Sequence, residues 1–66
     1  MSDYIGDTIK DLRHSQGLTL RKLSDMSGVN ETSICHWETG HSEPRWSYAE
    51  AVLNAMGYKV LIVKEK

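Results

Sequence analysis

The sequence predicts a mainly α-helical fold of four to five helices, followed by one β-strand at the C-terminus. Three observations favour this fold class. Apolar residues recur three and four positions apart through most of the 66-residue chain, which is the period of a helix with one buried face. A glycine, a common helix terminator, follows each of four such segments. The last segment changes to β-branched residues, which is typical of a strand.

The first two helices carry signals at their ends. The first is predicted over about 4–16 and ends at Gly17. The second is predicted over about 20–27, where Thr19 is a natural N-cap because its hydroxyl accepts a hydrogen bond from the first helical turn.

The third and fourth helices follow short loops. The third is predicted over about 31–39, with Asn30 as its N-cap and Gly40 at its end. The fourth is predicted over about 45–56 and ends at Gly57. Its buried face is expected to contain Trp46, Ala49, Val52, Leu53 and Met56.

The segment 58–63, YKVLIV, predicts a strand. A lone apolar strand would leave its backbone edges open, and no other segment of the chain predicts a strand to pair with it. We therefore expect antiparallel pairing with the same segment of a second copy about a two-fold axis. The alternative is that the fourth helix continues or the tail frays. The chain then divides into a domain at 1–57 and a dimerising tail at 58–66, with dimer contacts from Tyr58, Val60, Leu61, Ile62 and Val63.

Chain length and cysteine content limit the class of protein. A chain of 7.5 kDa forms one small core and is marginally stable alone, which favours oligomerisation. A single cysteine excludes an internal disulfide and fits a reducing compartment. The N-terminus lacks the apolar stretch of a signal peptide, and no apolar run approaches the roughly 20 residues needed to span a bilayer. We expect a cytoplasmic protein with no membrane partner.

The overall charge argues mildly against nucleic-acid binding. The formal net charge is −1 and the pI is about 6.2, whereas a basic patch is the usual footprint of such proteins. The charges are nevertheless segregated, since the predicted first helix carries an acidic stripe at Asp3, Asp7 and Asp11. Basic side chains lie in or beside the second and third helices, at Arg21, Lys22, His36, His41 and Arg45.

Residues 20–39 have the spacing of two short helices that meet at a sharp angle. Gly28 supplies the turn, because a left-handed backbone is least costly at glycine. The inward positions are apolar or small, namely Leu23, Ser24, Val29, Ile34 and Trp37. The outward positions of the second of these helices are mostly short and polar, which suits a surface that lies in a groove. This arrangement is a helix-turn-helix.

Over 9–56 the chain resembles the lambda-repressor-like helix-turn-helix domains of the Cro/repressor, or xenobiotic-response-element, type. The matching pieces are Leu12-Arg13, Gly17-Leu18-Thr19, Leu23-Ser24, Gly28-Val29, Ser33-Ile34, Trp37-Glu38-Thr39-Gly40 and Pro44. The tail resembles members that add a dimerising C-terminal strand, including antitoxins of toxin–antitoxin pairs. Three positions depart from the pattern. Leu20 stands where relatives often carry a phosphate-binding glutamine, Ser27 occupies a commonly apolar position, and Glu31 places an acidic residue at the tip of the reading helix.

The resemblance implies that the third helix enters the major groove of DNA and reads bases. The implied base-reading residues are Asn30, Glu31, Thr32, Ser33 and His36. Alternatives stay open for three of them. Glu31 could instead compensate the helix dipole, Asn30 could serve only as an N-cap, and Ser33 could face phosphate or solvent.

The resemblance also implies contacts that position the protein on the DNA backbone. The residues implied are Thr19, Arg21, Thr39, His41 and Arg45. For Arg45 the alternative is a local cap or ion pair. Relatives join the positions of Arg13 and Glu38 in a partly buried ion pair, which would be structural.

Neither catalysis nor metal binding is predicted. Cys35 and His36 are adjacent on a helix and diverge by about 100°, so they cannot form a nucleophile pair. The histidines and the cysteine have no metal-ligand spacing, and no glycine-rich phosphate loop occurs. We expect no catalytic residue, no metal, no cofactor and no enzymatic activity.

These observations favour a homodimeric, DNA-binding transcriptional regulator, a repressor that binds an inverted repeat in double-stranded DNA. One alternative with the same fold is an antitoxin that regulates its own operon and has a toxin protein as a further partner. An alternative from another class is a protein-interaction module that does not bind DNA, for which Leu20, Glu31 and the acidic balance are the arguments.

Overall fold

The computed structural model describes residues 5–60, which form four helices joined by short loops. The helices are α1 (Ile5–Ser15), α2 (Leu20–Ser27), α3 (Glu31–Glu38) and α4 (Trp46–Ala55). The predicted helices are confirmed, with ends that differ by a residue or two. Thr39, Arg45 and Met56 cap helices instead of continuing them, and no strand occurs within 5–60. No helix in this range is long and apolar enough to cross a membrane.

The turn between α2 and α3 is built as the sequence predicts. Thr19 caps α2, with its hydroxyl accepting a hydrogen bond from the Lys22 amide at 3.0 Å. Asn30 caps α3 through its side chain. The side-chain oxygen Oδ1 lies 2.8 Å from the Thr32 amide nitrogen and 3.3 Å from the Ser33 amide nitrogen. Between the two helices Gly28 adopts a left-handed conformation with φ of 76°, which other residues reach only at a cost.

Two serine side chains close this turn. The Ser24 hydroxyl donates to the Val29 carbonyl at 2.6 Å. The Ser27 hydroxyl donates to the Leu23 carbonyl at 2.8 Å and accepts from the Val29 amide at 3.2 Å. Ser27 departs from the apolar residue common in relatives, and these bonds give the departure a physical reason. The hydroxyl gives the amide of buried Val29 a hydrogen-bond partner in the turn.

The core lies between the four helices and draws on all of them. Its fully buried members are Ile9, Leu23, Ile34 and Val52, one from each helix. Burying a side chain of this size contributes about 1.5–3 kcal/mol. α2 packs mainly on α4 and α3, while α1 packs mainly on α3. This packing holds α3 from behind and leaves its outer face free.

Trp46 corrects the predicted buried face of α4. Ala49, Val52, Leu53 and Met56 are buried as expected, but Trp46 is 53% exposed. Trp46 is the first residue of α4 and lies at the edge of its apolar arc. Neighbouring elements therefore cover only part of its ring.

α1 approaches α3 closely at Gly6. A Cβ atom at this position would overlap the backbone carbonyl of Trp37, so only glycine allows the two helices to pack here. At the other end of α1, the Gln16 side-chain amide donates to the Met56 carbonyl at 2.8 Å. Both contacts join α1 to the backbone of a distant element.

The described start of the predicted strand, 58–60, is neither helix nor strand. The Tyr58 amide donates to the Leu53 carbonyl at 2.9 Å, which completes the end of α4. Val60 is half-buried and packs against the core of its own chain. The remaining dimer residues, Leu61, Ile62 and Val63, lie outside the described residues, so the strand and its pairing stay a prediction.

Candidate nucleic-acid interface

The candidate interface is the outer face of α3, which the fold leaves uncovered. Ile34, Trp37 and Glu38 point inward and are buried. The predicted base-reading residues Asn30, Glu31, Thr32 and His36 are exposed, and Ser33 is half-buried at the flank. These side chains are short or of moderate length, so the helix backbone could approach base edges closely.

The N-terminal end of α3 carries Asn30 and Glu31. Asn30 acts as an N-cap, and because its carbonyl oxygen is occupied, only its NH2 group remains for a ligand. Glu31 is exposed in the first turn, where the helix dipole favours a carboxylate. Both the dipole role and the base-reading role remain compatible with this placement.

The C-terminal end of α3 brings three predicted DNA contacts together. The His36 and His41 rings lie 5.5 Å apart between centroids. The Thr39 hydroxyl lies 2.9 Å from the Cys35 carbonyl oxygen and 2.8 Å from Nδ1 of His41. A hydroxyl has one proton, so when Thr39 donates to Cys35 it accepts from His41. Thr39 therefore orients the His41 ring, and phosphate contact by His41 stays a prediction.

The predicted backbone-contacting cations differ in their surroundings. Arg45 is exposed at the N-cap of α4, and its side chain makes no cap hydrogen bond. Within residues 5–60 it also makes no ion pair, so neither local role applies there. Arg21 is 81% exposed and has Asp25 at 4.0 Å, one helical turn away. Such an exposed pair is weak and does not prevent contact with phosphate.

The position of Leu20 in the fold gives a physical reason for its departure from the family pattern. Its side chain is half-buried and packs against the core. A glutamine here could reach a phosphate, whereas this leucine stabilises the fold. At the N-terminus of α2, the groups still available for phosphate contact are the backbone amides, the exposed Thr19 and the exposed Arg21.

Arg13 and Glu38 lie behind the candidate interface. Nε and Nη2 of Arg13 each donate to a different carboxylate oxygen of Glu38, both at 2.8 Å. Nη1 donates to the Leu18 carbonyl at 2.8 Å, and Nη2 lies 2.9 Å from Nε2 of His14. Hydrogen bonding to Glu38 raises the pKa of Arg13, although burial opposes this. The pair fixes the base of α3 relative to α1.

Tyr48 lies beside the candidate interface, although no sequence signal points to it. It lies on α4, is 51% exposed, and stacks on Trp37 with ring centroids 6.3 Å apart. Its helical position predicts an exposed residue and nothing more. Only the tertiary contact of Tyr48 with Trp37 places its ring beside Asn30 and Ser33.

Comparison with known proteins identifies the domain. The chain is 31% identical over 61 residues to the transcriptional regulator ClgR of Mycobacterium tuberculosis, from strain CDC 1551 and from strain H37Rv. The match covers 92% of this chain and 54% of the relatives, so the chain spans about half their length. No solved structure matches significantly. A family model described as helix-turn-helix, of the Cro/C1 type, matches residues 9–62. The chain therefore belongs to the lambda-repressor-like helix-turn-helix family.

Proposed function

We propose that this chain is the DNA-binding domain of a transcriptional regulator and that α3 enters the major groove. The observation that carries the proposal is the division of α3 into a buried face and an exposed polar face. Ile34 and Trp37 anchor the helix, while Thr32 and His36 lie exposed on the side away from the core. Membership of a non-enzymatic helix-turn-helix family supports this assignment.

Basic groups lie on the elements that precede and follow α3 in the chain. Arg21 lies on α2, and His41 and Arg45 lie in and after the loop that follows α3. Two backbone strands border a groove, and cations on both sides of a reading helix would meet one strand each. The proposal therefore assigns phosphate contact to Arg21, His41 and Arg45. Thr32 and His36 are assigned to base edges, with Glu31 able to accept from a cytosine amino group.

We further propose that the protein acts as a homodimeric repressor on an inverted repeat. A single helix of eight residues reads only a few base pairs, so two copies are needed for a specific site. A two-fold axis would set the two reading helices about 34 Å apart, which is one turn of DNA. The apolar residues 61–63 support self-association, because in a strand their side chains would need cover on both faces.

Fluorescence anisotropy with a labelled duplex from the protein's own upstream region tests the proposal. We expect saturable binding that is tightest for an inverted repeat and is competed poorly by unrelated duplex. A lack of binding to any duplex would favour the protein-interaction module. Binding accompanied by a second protein that co-purifies in stoichiometric amount would favour the antitoxin.

A further inference from the structure

A cleft of about 240 Å³ lies between the N-terminal half of α3 and α4, beside the predicted base-reading face. Its lining residues are Gly28, Val29, Asn30, Ser33, Trp37 and Tyr48, none of them charged. Tyr48 stacks on Trp37 with an angle of 28° between the ring planes. Trp37 is only 7% exposed and belongs to the core, so the Tyr48 ring packs against a buried aromatic surface.

The polar groups of this cleft are donors without protein partners. The carbonyl oxygen of Asn30 is occupied by two backbone amides, which leaves its NH2 group with no hydrogen bond within residues 5–60. The hydroxyls of Ser33 and Tyr48 also have no partner in this part of the chain. A ligand that supplies only acceptor oxygens would satisfy all three groups.

We infer that this cleft binds one sugar–phosphate unit of the DNA backbone and that Tyr48 is the residue that positions it. The phosphate oxygens would accept from Asn30, Ser33 and the Tyr48 hydroxyl. The deoxyribose would pack on the apolar Tyr48 ring. This inference rests on the proposed function and moves Asn30 and Ser33 from base reading to backbone contact, which carries no sequence information directly.

The dimensions and position of the cleft favour DNA over other occupants. Its volume is below the roughly 300–1,000 Å³ of sites for small molecules, which argues against an inducer. Ser33 lies on the helix that carries Thr32 and His36, and Asn30 caps that helix. The cleft therefore adjoins the face of α3 on which we propose that the duplex lies.

Substitution of Tyr48 tests the inference in the 66-residue chain. Tyr48→Phe keeps the ring stack and removes one hydrogen bond, so duplex affinity should fall roughly 3- to 10-fold. Tyr48→Leu removes the ring as well and should weaken binding further, equally for the preferred site and for unrelated duplex. Trp46→Leu is the matched control. Trp46 is similarly exposed on the same helix but turned about 200° away, so this change should leave affinity unaltered.

Hydroxyl-radical footprinting provides a direct readout, because the radical attacks deoxyribose. Wild type should protect one or two sugars per half-site that Tyr48→Leu leaves exposed. In a Trp46→Phe background Trp37 is the one remaining tryptophan, and its emission should change on duplex binding. Unchanged affinity, unchanged protections or an unresponsive Trp37 would overturn the inference and leave the proposed function intact. Loss confined to particular base pairs would also overturn it. Failure of wild type to bind any duplex would overturn both.

Discussion

Arg13 and Glu38 form a bidentate ion pair that joins α1 to the last turn of α3, although the two residues are 25 positions apart in the sequence. The side chains are 11% and 5% exposed. The third nitrogen of the guanidinium donates to the Leu18 carbonyl, so one arginine connects α1, the following loop and α3. The pair thereby fixes the orientation of the candidate reading helix, α3, relative to α1.

Removing one member of this pair should destabilise the fold strongly. Arg13→Met leaves the Glu38 carboxylate buried without its partner, which typically costs about 3–5 kcal/mol. A domain of this length has roughly 3–10 kcal/mol of stability in total, so urea unfolding should shift to much lower concentration. The double change Arg13→Met with Glu38→Met should recover much of the loss. Arg21→Met, which removes the exposed pair with Asp25, is the control and should unfold like wild type.

The raised pKa of Arg13 sets the pH behaviour of this contribution. A group whose pKa is higher in the folded state stabilises the fold below its unfolded value and loses that effect only as pH rises through the folded value. For an arginine this window lies at strongly alkaline pH. Arg13 should therefore make the same contribution to folding stability at every pH near neutrality.

Helix positions were predictable because they depend on local signals. α2 has the predicted bounds, since Thr19 and Gly28 each act through neighbouring backbone groups. Trp46 was misplaced because a helical pattern does not say where the neighbouring elements end. Gly6 had no sequence signal at all, because its role depends on the backbone of Trp37 on another helix.

Gly6→Ala should separate α1 from α3. The added methyl group would overlap the Trp37 carbonyl, which belongs to the backbone and cannot turn aside as a side chain would. Overpacking of this kind costs about 1–3 kcal/mol or more, measured by thermal or urea unfolding. Thr8→Ala is the control, because Thr8 is exposed on the same helix and alanine favours helices. Equal stability of the two variants would contradict the close approach of the helices.

The part of the candidate site that lies on α3 was predictable from the sequence, because it depends only on features local to that helix. The exposed positions of α3 follow from helical period, and the Asn30 cap follows from residue type. The link from Thr39 to His41 and the place of Tyr48 beside α3 depend on loop and helix packing, for which the sequence has no periodic signal.

Arg45→Ala should weaken binding to all duplexes alike. Arg45 makes no cap bond or ion pair within residues 5–60, so its loss removes a phosphate contact without harming the fold. For duplex DNA the slope of log affinity against log salt is about −0.9 per neutralised phosphate, and the variant's slope should be smaller by that amount. Lys10→Ala removes the same charge from α1 and should change neither slope nor affinity. A wild-type affinity independent of salt would contradict the assignment.

His36→Ala and Thr32→Ala should alter sequence preference. Each exposed side chain lies on the outer face of α3 and is expected to contact particular base edges. The cost should be roughly 1–3 kcal/mol at the base pairs that are read, with non-specific affinity nearly unchanged. Anisotropy titrations against a set of single-base duplex variants measure this. A uniform loss across the set would place these residues among the backbone contacts.

Deleting the C-terminal segment tests the dimer, and the position of Val60 decides where to cut. Truncation after Gly57 should give a destabilised and mostly monomeric chain, but part of that loss would be intramolecular because Val60 packs against its own core. Truncation after Val60 keeps this contact and removes only the apolar residues 61–63 with the charged tail.

The chain ending at Val60 should therefore stay folded while losing its partner. Sedimentation velocity should show a monomer, and urea unfolding should become independent of protein concentration, whereas wild type should gain stability as concentration rises. Binding to an inverted repeat should fall to the weak affinity of a single half-site, because the second reading helix is no longer held one DNA turn away. If this shorter chain still sediments as a dimer and binds with unchanged affinity, the interface is formed by the helices and not by a shared strand.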